Sequence, residues 1–150
     1  MLARILCSIL ASALLARGGD IVINEIMYHP PPAVPEDTGL EWIELHNQGT
    51  NVVSLSGWRL ARGVQFTFPA GAQLAPGGYL VVVANVAKFR AQYPAVEAGQ
   101  VFGSWTGRLS NSDETIELVN AQGEVMSRVH YASEGDWATR VRGPLDQGTR

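Results

Sequence analysis

Two short apolar runs on either side of a polar turn stand out in the first half of the chain. The first run is Trp-Ile-Glu-Leu at 42–45, and the second begins at Val52 and reaches Leu60. Both runs contain β-branched and aromatic residues, which are enriched in strands, whereas Gln-Gly-Thr-Asn at 48–51 has no helical character. The stretch therefore predicts two strands from the middle of a β-sandwich.

The same alternation of apolar runs and turn residues continues along the rest of the chain. A length of 150 residues suits one domain, and glycines and prolines between apolar runs are typical of all-β domains. Asn85 has the character of a helix N-cap, and residues 86–93 place apolar side chains at helical spacing before Pro94, which predicts two turns of helix. With the two runs described above, the predicted strands are 21–28, 41–46, 58–60, 64–68, 79–84, 100–105, 115–120 and 124–131.

The first predicted strand, 21–28, does not alternate strictly. Its apolar residues change parity between Ile23 and Ile26. One extra residue in the strand would bring both sets onto the same face of the sheet. We therefore expect a β-bulge near residues 24 and 25.

Charge is unevenly distributed along the chain. Between Asp20 and Trp137 there are thirteen acidic and six basic side chains, whereas residues 138–150 carry three arginines and one aspartate. A nucleic-acid footprint requires clustered cations, so the acidic body argues against nucleic acid as a partner. We interpret residues 138–150 as a flexible tail or as the start of a further region downstream.

Residues 1–16 have the layout of a secretory signal peptide. Arg4 precedes an apolar run, and Arg-Gly-Gly-Asp at 17–20 provides a polar break. The run is too short for an ordinary membrane span, although an uncleaved anchor is the alternative. Cys7 is the only cysteine, so cleavage would leave a chain without thiol chemistry. We expect export to the periplasm, the cell surface or the medium, with no membrane span after cleavage.

Six short motifs follow one another along residues 21–131. They are Ile-Asn-Glu-Ile at 23–26, Trp-Ile-Glu-Leu-His-Asn at 42–47, Leu-Ser-Gly-Trp-Arg-Leu at 55–60, Phe-Thr-Phe-Pro at 66–69, Leu-Ala-Pro-Gly-Gly-Tyr-Leu-Val-Val at 74–82 and Leu-Ser-Asn-Ser-Asp-Glu-Thr-Ile-Glu-Leu at 109–118. Their order resembles the lamin-tail domain family, in its exported bacterial type. The resemblance implies an all-β fold over residues 20–137, an immunoglobulin-like antiparallel β-sandwich with one short helix.

The resemblance also implies a function without catalysis. An exported module of this family is expected to bind or tether, with a protein or cell-surface partner and without a cofactor. In bacterial relatives the module commonly lies beside a catalytic domain. The alternative is therefore an N-terminal accessory domain of a larger exported hydrolase or spore-coat-kinase-like protein, which the reading frame after Arg150 would reveal.

Two groups of acidic residues could carry chemistry. Glu25 and Glu44 fall at similar places on neighbouring predicted strands, where paired carboxylates could bind calcium or transfer protons. The favoured interpretation is that each accepts hydrogen bonds from backbone or tryptophan N–H groups at a bulge or strand end. Glu36, Asp37 and Glu41 lie beside a long polar loop that lacks the oxygen-ligand pattern of an EF-hand, which favours a solvated loop. Glu36 and Asp37 are nevertheless candidates for facing a ligand.

Histidines and tryptophans give weaker signals. His29, His46 and His130 lack the spacing of zinc ligands, so we interpret them as surface or strand-end side chains. Trp105 lies in a turn-like stretch and is the best candidate for an exposed ring that stacks on a ligand. Aromatic residues also supply the bulk of sandwich cores, and packing is the favoured role for this tryptophan.

Overall fold

The structure, a computed structural model, describes residues 20–30 and 36–132. The strands are β1 (Ile21–Met27), β2 (Trp42–Asn47), β3 (Val53–Ser54), β4 (Arg59–Ala61), β5 (Val64–Thr67), β6 (Gln73–Leu74), β7 (Tyr79–Val83), β8 (Val101–Gly103), β9 (Thr106–Gly107), β10 (Asp113–Val119) and β11 (Val125–Ala132). The helix α1 is Val86–Gln92, and single-turn 3₁₀ helices lie at Thr38–Leu40 and Ala98–Gln100. No helix in these ranges has the length and apolar character needed to cross a bilayer. The predicted signal peptide, 1–16, and the predicted tail, 138–150, lie outside the described residues.

Two sheets form the sandwich. One has the strand order β1-β2-β7-β8 and the other has the order β11-β10-β4-β5-β9, while β3 and β6 form a separate two-stranded ribbon. Every described strand pair is antiparallel except β7–β8. The main hydrophobic core draws buried side chains from both sheets. The predicted all-β, immunoglobulin-like sandwich with one short helix is confirmed.

The parallel pairing of β7 with β8 follows from the position of α1. A parallel connection must carry the chain back to the start of the neighbouring strand, which takes a dozen or more residues and usually a helix. The segment between Val83 and Val101 has this length and contains α1. The sequence predicts the helix, but it does not predict the parallel pairing that the helix makes possible.

Strand alternation decides which side chains of β2 enter the core. Ile43, Leu45 and Asn47 lie on one face and are fully buried, and the residues that alternate with them are more exposed. β7 differs because four consecutive residues, 80–83, are buried. Phe89 of α1 packs against the outer face of β7, so this strand has apolar surroundings on both sides.

Three local predictions are confirmed. The register of β1 against β2 shifts between Ile23 and Glu25, which is the expected bulge. The Asn85 side chain accepts a hydrogen bond from the Lys88 N–H at 3.0 Å, so Asn85 is the N-cap of α1. The β10–β11 hairpin has the turn residues 121–123 between its strands.

Asn47 joins three segments from inside the core. The residue is 0 % exposed, and its Nδ2 donates to the carbonyls of Asn51 and Leu74, each at 2.9 Å. Its Oδ1 accepts from the Gly49 N–H at 2.9 Å. Because unpaired polar groups are costly when buried, these bonds fix the turn after β2 against β6.

Replacing Asn47 by leucine, a side chain of similar size, should lower the free energy of unfolding by about 2–4 kcal/mol, because buried backbone groups lose their partner. Urea unfolding followed by tryptophan fluorescence measures the change. The matched control is Gln48→Leu at the next, exposed position, which should change the free energy by less than about 0.5 kcal/mol. Equal losses in the two variants would contradict the role assigned to Asn47.

Candidate functional site

Asp37, one of the predicted ligand-facing residues, is engaged by its own domain. Lys88 Nζ lies 2.7 Å from Oδ1 and 2.8 Å from Oδ2, and Oδ1 also accepts the Gly39 N–H at 3.0 Å. The hydrogen bond from Lys88, followed by that from Gly39, lowers the pKa of this carboxyl. Asp37 therefore connects the 3₁₀ helix Thr38–Leu40 to α1 at the surface.

Glu36, the second predicted ligand-facing residue, lines a polar cavity. Its Oε1 lies 3.0 Å from His29 Nδ1, and its Oε2 accepts a hydrogen bond from Asn111 Nδ2 at 2.6 Å. The cavity has a volume of about 360 Å³. Its lining residues are Glu36, Thr38, Arg108, Leu109, Ser110, Asn111 and Glu114. Glu36 and Asp37 are adjacent in sequence, but the structure gives them different partners and does not bring them into one site.

Glu41, the third residue of this predicted acidic group, is buried rather than solvated. The residue is 1 % exposed, its Oε2 accepts the Leu109 N–H at 2.9 Å, and its Oε1 has no hydrogen-bond partner among the described residues. Burial raises the pKa of the Glu41 carboxyl to about 7, while the bond from Leu109 opposes the shift and the charge of Glu36 adds to it. The expectation of a solvated loop is wrong here because β2 begins at the next residue and carries Glu41 into the sandwich.

A tyrosine completes the polar network near Glu41. The Tyr131 hydroxyl donates to the Ser110 carbonyl at 2.8 Å and lies 3.3 Å from Glu114 Oε2, which also accepts the Ser110 N–H at 3.0 Å. Burial, together with the negative charge of Glu114, raises the pKa of the Tyr131 hydroxyl. The network fastens the turn before β10 to the end of β11, so these acidic side chains have a structural use.

Glu25 and Glu44 lie opposite each other in the β1–β2 ladder. Asn24, at the bulge, donates from its Nδ2 to Glu44 Oε1 at 2.8 Å. Glu44 is thus a hydrogen-bond acceptor at a bulge, as expected, but its donor is an asparagine side chain rather than the expected backbone or tryptophan N–H. Glu25 is exposed. In the part of the chain that the structure describes, no three His, Cys, Asp or Glu side chains converge as metal ligands would.

Trp105, the third predicted ligand-facing residue, is 6 % exposed and belongs to the main core. Its backbone N–H donates to the Val83 carbonyl at 3.2 Å, which holds it against β7. The expectation of an exposed ring is therefore wrong, and the packing role that the sequence favours is the one observed. Ser104 and Thr106 on either side are exposed, and for this reason the local sequence has the character of a surface turn.

The histidines are dispersed, as the sequence predicts. His29 contacts the Glu36 carboxylate. His46 stacks on Tyr79 with ring centroids 4.2 Å apart, and His130 lies on β11, where its Nδ1 is 3.1 Å from a threonine hydroxyl. Each histidine has a separate partner, and the three imidazoles belong to different parts of the surface.

On one side of the sandwich, the last strands of the two sheets, β1 and β11, lie against each other. The Ile23 N–H donates to Ser127 Oγ at 3.1 Å, and the rings of Tyr28 and Tyr131 stack with centroids 4.7 Å apart. The two contacts follow one another in the same order on both strands, so β1 and β11 run side by side in the same direction. We call this surface the β1–β11 edge.

The ladder shows which backbone groups of β1 face this edge. The Ile23 N–H binds β11 rather than β2, so Ile23 and Leu45 form a non-hydrogen-bonded pair. Such pairs alternate with hydrogen-bonded pairs along an antiparallel strand, and Ile26 is paired with Ile43, two residues from Leu45. The N–H and C=O of Ile26 therefore point away from β2, toward the side of β1 along which β11 runs without pairing with it in a ladder.

An apolar groove of about 280 Å³ lies along the β1–β11 edge. We call it the edge groove, and it is lined by Ile23, Asn24, Glu25, Ile26, Tyr28, Val129 and Tyr131. A concave apolar patch is a feature of binding surfaces, whereas single exposed apolar residues are normal. Sequence reasoning missed the groove because its two sides come from distant segments: Ile23 and Ser127 are 104 residues apart.

The raised pKa of Glu41 should make the stability of the domain depend on pH. The unfolded chain has the ordinary carboxyl pKa of 4.5, so the folded state binds this proton more tightly than the unfolded state. The contribution of Glu41 to the free energy of unfolding should therefore fall as the pH rises from about 4.5 to 7, and then level off. Glu41→Gln has no proton to lose and should lack this fall.

Urea unfolding over a pH series measures the effect. The free energy of unfolding of Glu41→Gln, relative to the wild type, should rise by on the order of 3 kcal/mol between about pH 4.5 and 8. The matched control is Glu97→Gln, at an exposed position, which should keep the pH profile of the wild type. A Glu41→Gln profile that is parallel to the wild-type profile would show that Glu41 titrates normally in the folded protein.

The comparison with known proteins agrees with the observed sandwich. Residues 16–133 match the model of the Lamin Tail Domain family, and a search of the curated proteins found no match. The matched segment covers most of the chain and contains all eleven described strands. The chain therefore belongs to the Lamin Tail Domain family, a non-catalytic family with an immunoglobulin-like fold.

Proposed function

We propose that this chain is a non-catalytic module that binds or tethers a protein partner, and that it takes an extended segment of that partner at the β1–β11 edge. The observation that carries the proposal is the edge itself. Two terminal strands meet there beside an apolar groove. A flat surface patch would offer only side chains, whereas this surface offers backbone groups and a recess together.

Insertion of a short extended segment into the groove between the Ile23–Ser127 and Tyr28–Tyr131 contacts is the binding mode that such an edge supports. A peptide in extended conformation can pair with unpaired backbone groups of an edge strand, and its alternate side chains then enter adjacent pockets. Ile26 directs both an N–H and a C=O to the β11 side of β1, where it lines the groove, and Val129 lines the opposite wall. Backbone pairing would supply affinity, and the groove would supply selectivity.

The groove indicates the chemistry of the segment that it would accept. Pockets for drug-sized ligands usually have volumes of about 300–1,000 Å³, so a groove of about 280 Å³ suits a single large side chain. Its walls are mostly apolar, but Glu25 at the rim is an exposed carboxylate. A segment with an apolar anchor flanked by arginine or lysine would complement both features.

Three of the described acidic residues have structural roles. Glu41 accepts a backbone hydrogen bond in the core, and Glu114 is held by Ser110 and Tyr131. Asp37 is paired with Lys88. These groups stabilise turns and strand ends, which accords with a family fold that is not catalytic.

Export and chain organisation are further parts of the proposal. The layout of residues 1–16 supports secretion, and cell fractionation with an antibody against the folded domain tests it. The accessory-domain alternative stays a prediction about the gene downstream of Arg150. Whether the chain is an independent module or an accessory domain, it would attach to its partner through the β1–β11 edge, because this surface lies wholly within the matched domain.

Peptide selection tests the proposed edge. Short random peptides displayed on phage should yield binders, and their synthetic forms should shift backbone amide signals of β1 and β11 in NMR titrations. Val129→Arg should weaken binding of these peptides at least about tenfold, because a charged side chain would fill the apolar groove. The matched control is Val125→Arg, an exposed position on the same strand that does not line the groove.

The control should change peptide affinity by less than about twofold. Thermal unfolding of both variants shows whether each retains its fold. Selected peptides that bind elsewhere, or that bind Val129→Arg as tightly as they bind the wild type, would refute the edge as the binding surface.

A further inference from the structure

The polar cavity that Glu36 lines is a second recess, separate from the edge groove. We call it the turn cavity, and its volume is about 360 Å³. Its lining residues, which are named above, are polar or charged except Leu109, and none of them lines the edge groove. We infer that the turn cavity binds a small zwitterion, an α-amino acid, at a site that does not depend on the β1–β11 edge.

The turn cavity has walls of opposite charge that do not neutralise each other. Arg108 lines it together with Glu36 and Glu114. Within residues 20–30 and 36–132, however, no carboxylate oxygen lies within 4.0 Å of the Arg108 guanidinium. Opposite charges that line one cavity without meeting leave a space between them, and a ligand that carries one charge of each sign can bridge this space.

The acidic side of the cavity can receive an ammonium group. Glu36 Oε2 accepts one hydrogen bond, from Asn111 Nδ2 at 2.6 Å, and a carboxylate oxygen can accept two. Glu114 Oε2 already accepts from the Ser110 N–H and the Tyr131 hydroxyl, whereas no described residue donates to its Oε1. An ammonium group has three donors and can therefore use acceptors on more than one side.

A buried carboxylate lies directly behind this acidic side. Glu41 is 1 % exposed. Its Oε2 accepts the N–H of Leu109 in the cavity wall at 2.9 Å, and its Oε1 has no hydrogen-bond partner in the described part of the chain. Burial is the main cause of the raised pKa of the Glu41 carboxyl, but the charge of Glu36 also raises it and the charge of Arg108 lowers it, so this carboxyl senses both sides of the cavity. A cation held at the acidic side would offset the buried negative charge, which favours an ammonium group over a neutral donor.

The basic side of the cavity suits a carboxylate. Arg108 is exposed, and a guanidinium presents paired donors that match the two oxygens of a carboxylate. Thr38, Ser110 and Asn111 add hydroxyl and amide groups to the wall, and these can bind a polar side chain of the ligand. Sites for small ligands have volumes of about 300–1,000 Å³, so a cavity at the lower end of this range suits one amino acid rather than a peptide.

An NMR titration of the whole chain with L-serine, L-glutamine and L-arginine at millimolar concentrations tests the inference. At least one of these amino acids should shift the backbone amide signals of Thr38, Leu109 and Asn111 and leave the Val129 signal of the edge groove in place. The N-acetyl form of that amino acid lacks the ammonium group, and its amide form lacks the carboxylate. Each form should bind at least about tenfold more weakly, because it loses one set of charge-assisted hydrogen bonds.

Two substitutions test the charged sides of the cavity separately. Arg108→Gln and Glu36→Gln should each weaken binding of the amino acid at least about tenfold. The matched controls are Arg90→Gln and Glu97→Gln, at exposed positions that do not line the turn cavity, and they should change the affinity by less than about twofold. Thermal unfolding of the four variants shows whether each retains its fold.

Three results would overturn the inference. One is that none of the three amino acids shifts the amide signals of the turn cavity. Another is equal affinity for the amino acid and for its N-acetyl or amide form, because a zwitterion would then not be required. The third is wild-type affinity in a folded Arg108→Gln or Glu36→Gln variant. None of these results bears on peptide binding at Val129, so the proposed function is tested independently.

Discussion

The register of β2 is the constraint on which the sheets depend. Ile43 and Leu45 both face the core, which fixes the parity of β2, and β1 pairs with this strand. The apolar residues of β1 change parity after Ile23, so an unbroken ladder would turn Ile26 to the wrong face. The bulge at Asn24 removes this conflict. The edge groove lies directly beside the bulge, so one correction of register accounts for both the packing of β1 and the recess at the open side of the sandwich.

Burial of an acidic side chain organises the start of β2. Glu41 enters the core and accepts a hydrogen bond from the backbone of Leu109, while Glu114 and Tyr131 hold Ser110 in the same turn. A carboxylate in this position is costly because little water reaches it, which is why its pKa rises. In return, the turn that contains Leu109, which is remote in sequence, is fastened to the start of β2. The domain therefore gives up some stability at neutral pH for a defined arrangement of its loops.

Sequence reasoning succeeded where the signal is local. The bulge, the Asn85 cap and the β10–β11 hairpin each depend on a few consecutive residues, and the structure contains all three. It failed where burial depends on distant partners. Glu41 is polar and follows a loop, and Trp105 is flanked by exposed residues, yet both are covered by segments far away in the chain. The edge groove has the same origin, because no stretch of sequence shows which two strands will be left at the open side.

The open edge also poses a physical problem that any function must accommodate. Terminal strands tend to pair with other chains, and natural domains protect them by bulges, charges or covering segments. β1 carries the first two protections, since it is bulged at Asn24 and bears the exposed Glu25. The Ile23–Ser127 contact occupies one backbone donor, and the geometry of the ladder turns the N–H and C=O of Ile26 to the same side of β1, beside β11. What remains exposed is the edge groove, a short apolar recess with the Glu25 carboxylate at its rim. Its small size and its charge disfavour pairing with arbitrary strands, and they admit an extended segment whose apolar and basic residues complement the groove.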